Sequence, residues 1–495
     1  MDDRTLINSL LNPNVYPHPV TETSIKLIET HLSWVLLTGS FAYKIKKPVN
    51  FGFVDYSSLE KRCFYCQEEV RLNYPLSENN IYLEVIKISG SLANPVFNGQ
   101  DKVIEYAVKM KQFDQNNLLT HQLIQNELSP DHFLSIAEQL ASFHQSSEKT
   151  RKDIPYGTPE KIWEELSDIF LYFSSYISDY HVLNQIQQLK EWGKQEFNKH
   201  KTVFEYRKSR GYIRDCHGDV HLNNMVLLDG RVTLFDRIEF NAEFRCIDVM
   251  NEIAFLIMDL EAREREDLSS VFLNHYLELT GDYGGVKLLP FYKLYRALVR
   301  AKVALLSGFS IQDVEFTSYL NLAKTYILPK NPLLIILHGV SGSGKSFGSA
   351  KLISSMHLIR IRSDCERKRM FGAKGDPKKI YAKENIHKVY KKLKTIAEDL
   401  LKAGNKIVVD ATFLNKKHRD LFKDLANVLG VPFKIIHFEE SLSVLKERIL
   451  QRKETESEDV SAANRIDILE KQIALQDPLT EEELSVSDTG YFQTK

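Results

Sequence analysis

The sequence predicts a multidomain protein, with a mixed α and β region over residues 1–328 and an α/β domain with a parallel sheet over residues 332–495. Three observations lead there. At 495 residues the chain is too long for one hydrophobic core. From Leu333 onward, short apolar runs alternate with segments of helical period, the pattern of parallel strands joined by crossover helices. Finally, Pro329-Lys-Asn-Pro332 interrupts a helical tract just before a buried-strand pattern, LLIILH, which is punctuation expected at a domain boundary.

Composition narrows the class. With 43% hydrophobic and 26% charged residues the chain reads as an ordinary soluble globular protein. A net charge of -1 gives no global sign of a polyanion partner. That total hides an asymmetry, because 19 Lys/Arg face 8 Asp/Glu between Arg360 and Lys423. Solvated helix faces explain this, with a nucleic-acid track as the alternative. The five cysteines are Cys63, Cys66, Cys216, Cys246 and Cys365, an odd and dispersed set that argues for a reducing compartment. Cys63-x-x-Cys66 has no second pair to complete a zinc site and falls in a helical segment, so it reads as structural. The first residues, MDDRTLINSL, lack the basic start and apolar run of a signal peptide. No stretch approaches the roughly 20 apolar residues of a membrane span. A cytoplasmic protein is expected.

In the first region, residues 34–56 alternate apolar and polar around Gly39 and Pro48, predicting strands and turns. Residues 57–75 have helical spacing and stop at Pro75. Strands are expected at 81–88 and 103–110, helices from about 130 to 205, short strands near 224–228 and 231–236, and helices again from 247 to 328. In the second region the alternation runs 333–338, 345–356, 358–361, 380–403, 406–410, 416–429, 433–438 and 441–453.

The second region contains GVSGSGKS at 339–346, a phosphate-cradling P-loop between a strand and a helix. Gly339, Ser341, Gly342, Ser343 and Gly344 supply a flexible backbone whose amides face phosphate. Lys345 meets the β/γ-phosphates, and Ser346 binds magnesium. ATP and Mg2+ are therefore the expected cofactors. Asp364 ends LIRIRSD, where a carboxylate could take a proton from an acceptor hydroxyl; it could equally cap a helix starting at Glu366. Asp410 ends KIVVD like a metal-holding Walker-B carboxylate. Arg448 and Arg452, four apart on one helix, could close over a transferring phosphate. On GVSGSGKS, IRSD, VVDATF and the RxxxR helix, this region resembles the small P-loop kinases that include gluconate kinase, polynucleotide 5′-kinase and the zeta-toxin group. The resemblance implies an AAA-type ATP-binding domain and strengthens Asp364 as the base.

The first region contains CHGDVHLNN at 216–224, followed by LFD ending at Asp236. Asp219 and Asn224, five apart, have the spacing of a phosphotransferase catalytic loop. Asp219 would deprotonate a hydroxyl, while Asn224 and Asp236 would hold magnesium. An ATP-binding lysine should then lie upstream on a strand. Lys44 fits, just after Gly39 in an expected phosphate-covering turn, although Lys46 and Lys47 sit close by. Glu69 fits as its helical partner, with Glu68 as fallback. TGSFAYKIKKPV, CHGDVHLNN, LFDRIEFN and IDVMNEIAFLIMDLE resemble the aminoglycoside phosphotransferase family, a bilobal α+β branch of the protein-kinase-like fold. More closely, they resemble bacterial proteins that fuse such a domain to a P-loop kinase. The resemblance implies Asp219 as base, Asn224 and Asp236 as magnesium ligands, and a structural role for Asp248. The sequence departs from the family in its single-glycine phosphate loop and in Asp236-Arg237-Ile238, which has no glycine. The acidic stretch EAREREDL reads as a solvated helix face, with attraction of a cationic substrate as the alternative.

These features predict an ATP/Mg-dependent phosphotransferase with two modules, its partners being a nucleotide and a small-molecule hydroxyl acceptor. Three alternatives stand beside it: a nucleic-acid 5′-hydroxyl kinase, a nucleotide-sensing first domain without transfer, and a P-loop NTPase. Neither the acceptor nor the oligomeric state is written in the sequence.

Overall fold

The computed structural model describes residues 3–20, 25–76, 81–372, 382–455 and 466–488. The chain forms two compact units. The first contains Met1–Ser135, Ser142–Arg263 and Pro290–Ile327; the second contains Ile136–Ala141, Glu264–Leu289 and Leu328–Lys495.

The first unit opens with helix α1 (Asp3–Leu10) and an antiparallel sheet. Its strands are β1 (Lys26–Glu29), β2 (Ser33–Leu37), β3 (Phe41–Lys46), β4 (Tyr82–Gly90), β5 (Pro95–Phe97) and β6 (Val103–Lys111), in the order β1-β2-β3-β6-β4-β5. Alternation along β3 sends Tyr43 and Ile45 into a core with Leu36, Ile86 and Ala107. Ala42 points the other way, toward Val108, Met110 and Cys66. Cys66 belongs to helix α2 (Leu59–Asn73), which starts at an N-cap where Ser58 accepts from the Lys61 amide. Helices follow as α3 (Leu119–Ile124), α4 (Pro130–Ser146), α5 (Pro159–Tyr176) and α6 (Tyr180–Arg210).

Short ribbons come next. Strand β7 (Ile213–Asp215) pairs with β10 (Cys246–Asp248), and β8 (Met225–Leu228) forms a hairpin with β9 (Arg231–Leu234). Helix α7 (Val249–Glu261) is capped by Asp248, which accepts from the Met250 amide at 2.9 Å. The same carboxylate takes both Arg207 Nε and Nη2 at 2.7 Å, a structural role for a buried charge. EAREREDL is not one helix. Glu264 adopts a left-handed φ of 57° and separates α7 from α8 (Glu266–Thr280). Helices α9 (Leu289–Leu306) and α10 (Val314–Tyr326) complete this part of the chain.

In the second unit the strands β11 (Leu333–His338), β12 (Ile359–Arg362), β13 (Lys406–Asp410), β14 (Phe433–His437) and β15 (Ser487–Asp488) form an all-parallel sheet, ordered β12-β13-β11-β14-β15. Its central strands are apolar on both faces, as a sheet covered by helices requires. The helices are α11 (Lys345–Met356), α12 (Ser363–Phe371), α13 (Lys383–Lys402), α14 (Lys416–Leu429), α15 (Leu442–Thr455), α16 (Ile466–Leu475) and α17 (Glu481–Ser485).

Arg419 on α14 is buried and ties down the end of this unit. Its Nε and Nη2 reach Glu483 at 2.6 and 3.1 Å, and further N–H groups donate to the carbonyls of Phe413, Asp477 and Pro478. Burial alone would raise the Glu483 carboxyl; Arg419 and the Thr480 amide instead hold it at about 2. Glu483→Gln removes one partner of a buried pair and is expected to cost about 3 kcal/mol, read as an earlier urea midpoint for the second unit. Because the folded carboxyl is depressed below the unfolded value of about 4.3, its contribution is present above that value and is lost as pH falls toward 2. Wild type should therefore lose more stability than Glu483→Gln between about pH 5 and pH 2.

Candidate functional site

In the first unit, β3, α2 and the segment after β9 converge on Lys44. Its Nζ lies 2.8 Å from Glu69 Oε1 and 2.5 Å from Asp236 Oδ1. Glu69 has no exposed surface. Burial would raise its pKa, but two ammonium groups oppose this and hold it at about 2. The second ammonium is Lys46, 2.6 Å from Glu69 Oε2 and also paired with Glu239. Tyr56 donates its hydroxyl to Glu239 at 2.5 Å. Sequence reading weighed Lys46 only as an alternative to Lys44, not as a second partner of Glu69, and it missed Glu239. The available signal was spacing: Lys46 stands two residues beyond Lys44, on the same strand face.

The catalytic-loop candidates meet one another. Asn224 Nδ2 donates to Asp219 Oδ2 at 2.8 Å, and His221 Nε2 lies 3.3 Å from the same oxygen. Burial would raise the Asp219 carboxyl, but His221 and the more distant Arg300 and His217 hold it well below the usual range. The β8–β9 hairpin brings Asn224 toward Asp236, since the Phe235 amide donates to the Asn224 carbonyl at 3.1 Å. Two buried carboxylates of α7, also missed from sequence, hold the loop's backbone. Glu252 accepts from the His217 amide at 2.7 Å and from Gly218 at 3.3 Å, and Asp259 accepts from the Leu222 amide at 2.9 Å. Gly218 has φ 91°, and a Cβ there would sit 2.8 Å from the Phe244 carbonyl oxygen.

Gly39 lies in the β2–β3 turn, with its amide held by Gln112 at 2.8 Å.

In the second unit, Gly339, Ser341, Gly342, Ser343 and Gly344 form the loop between β11 and α11. A Cβ at Gly339 would meet the Phe438 carbonyl oxygen at 2.6 Å, and Gly339 (φ 148°), Gly342 (φ 84°) and Gly344 (φ 94°) all have positive φ. Lys345 Nζ donates to the Val340 carbonyl at 2.7 Å, and the Ser341 amide donates to Gln472 Oε1 at 2.8 Å. Asp410, at the end of β13, accepts from Ser346 Oγ at 3.3 Å and Ser349 Oγ at 3.4 Å. Arg448 on α15 donates to the Gly342 carbonyl at 3.2 Å and pairs with Glu440 at 3.0 Å. Arg452 is on the same helix, but its side chain lies outside the described residues. Asp364 does not cap a helix starting at Glu366. Helix α12 begins at Ser363, so Asp364 stands in its first turn, 3.1 Å from Arg367 and 2.9 Å from Lys368.

The donor sets suit ATP and Mg2+. Ser346 and Asp410 offer hard oxygen atoms at the start of a helix whose amides favour anions. Asn224, Asp236 and Asp219 also offer oxygen atoms, and Asp236 meets the Lys44 ammonium. Among the described residues, no helix is long and apolar enough to cross a membrane.

Residues 334–476 match the AAA domain family. Over 456 residues, 88% of each chain, the protein is 29% identical to an uncharacterized protein of Mycobacterium tuberculosis and, to the same extent, to one of Mycobacterium bovis. Among solved structures, ethanolamine kinase of Plasmodium vivax is 12% identical, with 62% of this chain and 82% of that one covered and a TM-score of 0.39. Choline kinase of Cryptosporidium parvum is 15% identical, covering 65% and 94%, with a TM-score of 0.38. A gluconokinase of Sinorhizobium meliloti is 18% identical, covering 32% and 83%, with a TM-score of 0.25.

Asp410→Asn removes the one negative charge of the Ser346–Asp410 pair while keeping its shape. It is expected to weaken MgATP binding about tenfold but leave metal-free ATP binding within about twofold, measured by titration calorimetry with Mg2+ and with EDTA. In architecture the chain is a multidomain protein: an α+β first unit, and an α/β second unit with a parallel sheet and a P-loop sequence, which matches the AAA domain family over residues 334–476.

Proposed function

We propose that the protein is an ATP- and Mg2+-dependent phosphotransferase with two modules, each acting on a hydroxyl acceptor. The observation that supports this most directly is Lys44, whose ammonium joins Glu69 and Asp236 from three separate elements. Such a lysine can meet nucleotide phosphates while Glu69 fixes its direction. Asp219, kept ionised by His221, is suited to orient an acceptor hydroxyl and accept its proton. Asn224 and Asp236 would hold magnesium, which when bound neutralises charge on the phosphates. In the P-loop unit, Lys345 and the loop amides would cradle phosphate, Ser346 and Asp410 would hold the metal, and Asp364 would serve as base. Arg448, already against the loop, would face the phosphoryl group in transfer. A small-molecule acceptor fits this unit better than a nucleic acid. Of the fifteen described cations of Arg360–Lys423, ten are engaged by carboxylates: Arg360, Arg362, Arg367, Lys368, Arg369, Lys388, Lys402, Lys416, Arg419 and Lys423.

One feature favours a second reading for the first unit: the expected phosphate-covering turn carries a single glycine, Gly39. On that reading the unit binds nucleotide without transferring it. Labelled ATP with magnesium, offered to sugars, nucleosides, aminoglycosides and 5′-hydroxyl oligonucleotides, separates the two. Asp219→Ala and Lys345→Ala are each expected to remove a labelled product, lowering its rate by at least about a hundredfold. Release of free phosphate alone, removed only by Lys345→Ala, would leave a P-loop NTPase with a nucleotide-sensing unit.

A further inference from the structure

Strand β12 is an edge of the parallel sheet in the second unit, and α8, from the same unit, covers it. Asn274 acts there as a substitute strand: its Nδ2 donates to the Leu358 carbonyl at 2.8 Å, and its Oδ1 accepts from the Arg360 amide at 2.6 Å. One turn further along α8, the buried Glu278 divides its carboxylate between two arginines. Oε1 takes Arg360 Nε at 2.7 Å, and Oε2 takes Arg362 Nη1 at 3.3 Å. Its carbonyl also accepts from Arg369 Nη2 at 2.8 Å. The helix then ends at Gly281, whose φ of 74° lies in the left-handed region that glycine adopts without strain.

Both arginines held by Glu278 lead to the candidate metal carboxylate. Arg360 Nη1 donates to Ser349 Oγ at 3.0 Å, and Ser349 Oγ in turn donates to Asp410 Oδ2. Arg362 comes closer, with Nε 3.9 Å from Asp410 Oδ2, because parallel pairing places Arg362 directly opposite Asp410. A guanidinium has five N–H donors in a rigid plane. Glu278 and Asp410 orient that plane, and the side chain keeps 32% of its surface exposed. An oriented, partly open guanidinium beside a carboxylate that would hold magnesium is placed for phosphoryl oxygens.

We propose that Arg362 contacts the terminal phosphoryl group of the nucleotide in the P-loop site, and that Glu278 is its positioning residue. This rests on the reading that the P-loop unit binds MgATP. It adds a cation from the sheet side to those of Lys345 and Arg448, and it makes a helix encoded well before the P-loop part of that site.

The test compares MgADP with a non-hydrolysable MgATP analogue on the full-length protein, reading the binding step that Lys345→Ala abolishes. Arg362→Met is expected to weaken analogue binding about tenfold and leave MgADP within about twofold. Glu278→Gln should shift the same ratio in the same direction by a smaller factor, and Arg362→Lys should restore part of it. A merely structural role would weaken both nucleotides together. Equal loss of both, or loss of neither, overturns the proposal. If wild type shows no nucleotide step that Lys345→Ala removes, the P-loop reading itself fails, a result distinct from an unchanged ADP/ATP ratio. Should Glu278→Gln fail to fold, Arg362→Met and Arg362→Lys still decide the matter.

Discussion

A carboxylate with no access to water cannot stay charged unless cations surround it. In the first unit that carboxylate is Glu69, and the local architecture follows from satisfying it. Two lysines from one strand converge on it, Lys44 on one oxygen and Lys46 on the other. Each lysine then reaches a second carboxylate, Asp236 and Glu239 respectively. Strand, helix and the segment after β9 are thus linked by charge as well as by packing. The arrangement also explains why two lysines are needed: one faces the candidate nucleotide site, while the other is buried and keeps the carboxylate neutralised from behind.

Helix α7 imposes the same rule on the loop that carries Asp219 and Asn224. A loop that must display Asp219 and Asn224 cannot use its backbone amides in a regular ladder, so those amides need other acceptors. Glu252 and Asp259, about two turns apart on one face of α7, supply them. Asp248 caps that helix and is itself fixed by Arg207. Loop geometry is therefore set by a rigid helix, while the Asp219 and Asn224 side chains bond to each other.

The central strands β11 and β13 were legible nearly to the residue, because strands buried on both faces read as unbroken apolar runs, whereas the two-residue β15 (Ser487–Asp488) was not anticipated. Strand β1, Lys26–Glu29, was not: all four residues are exposed, so it has no periodic pattern to read. Helix α12 was placed too late because Asp364 resembles a cap while standing inside the first turn. Of the first unit's candidate residues, Lys44 with Glu69 and Asp219 with Asn224 were found by spacing along motifs. Glu239, Glu252 and Asp259 were not, since each acts on groups distant in sequence and belongs to no motif. Glu278 was invisible for the same reason. Its partners lie some eighty residues downstream, and its own neighbourhood reads as an ordinary helix.

The second unit draws residues 264–289 from the middle of the chain, and this bears on how such a protein can arise and diverge. Two genes joined end to end at residue 330 would give a P-loop sheet whose edge strand lacked Asn274 and whose arginines lacked Glu278. The opposite event, splitting one gene at the same point, would expose that edge and strand both arginines without their carboxylate. The proline-flanked boundary is thus a hinge in sequence composition but not a seam for recombination. Selection acting on either half must preserve α8, so substitutions on α8 and on β12 are expected to occur in compensating pairs across lineages.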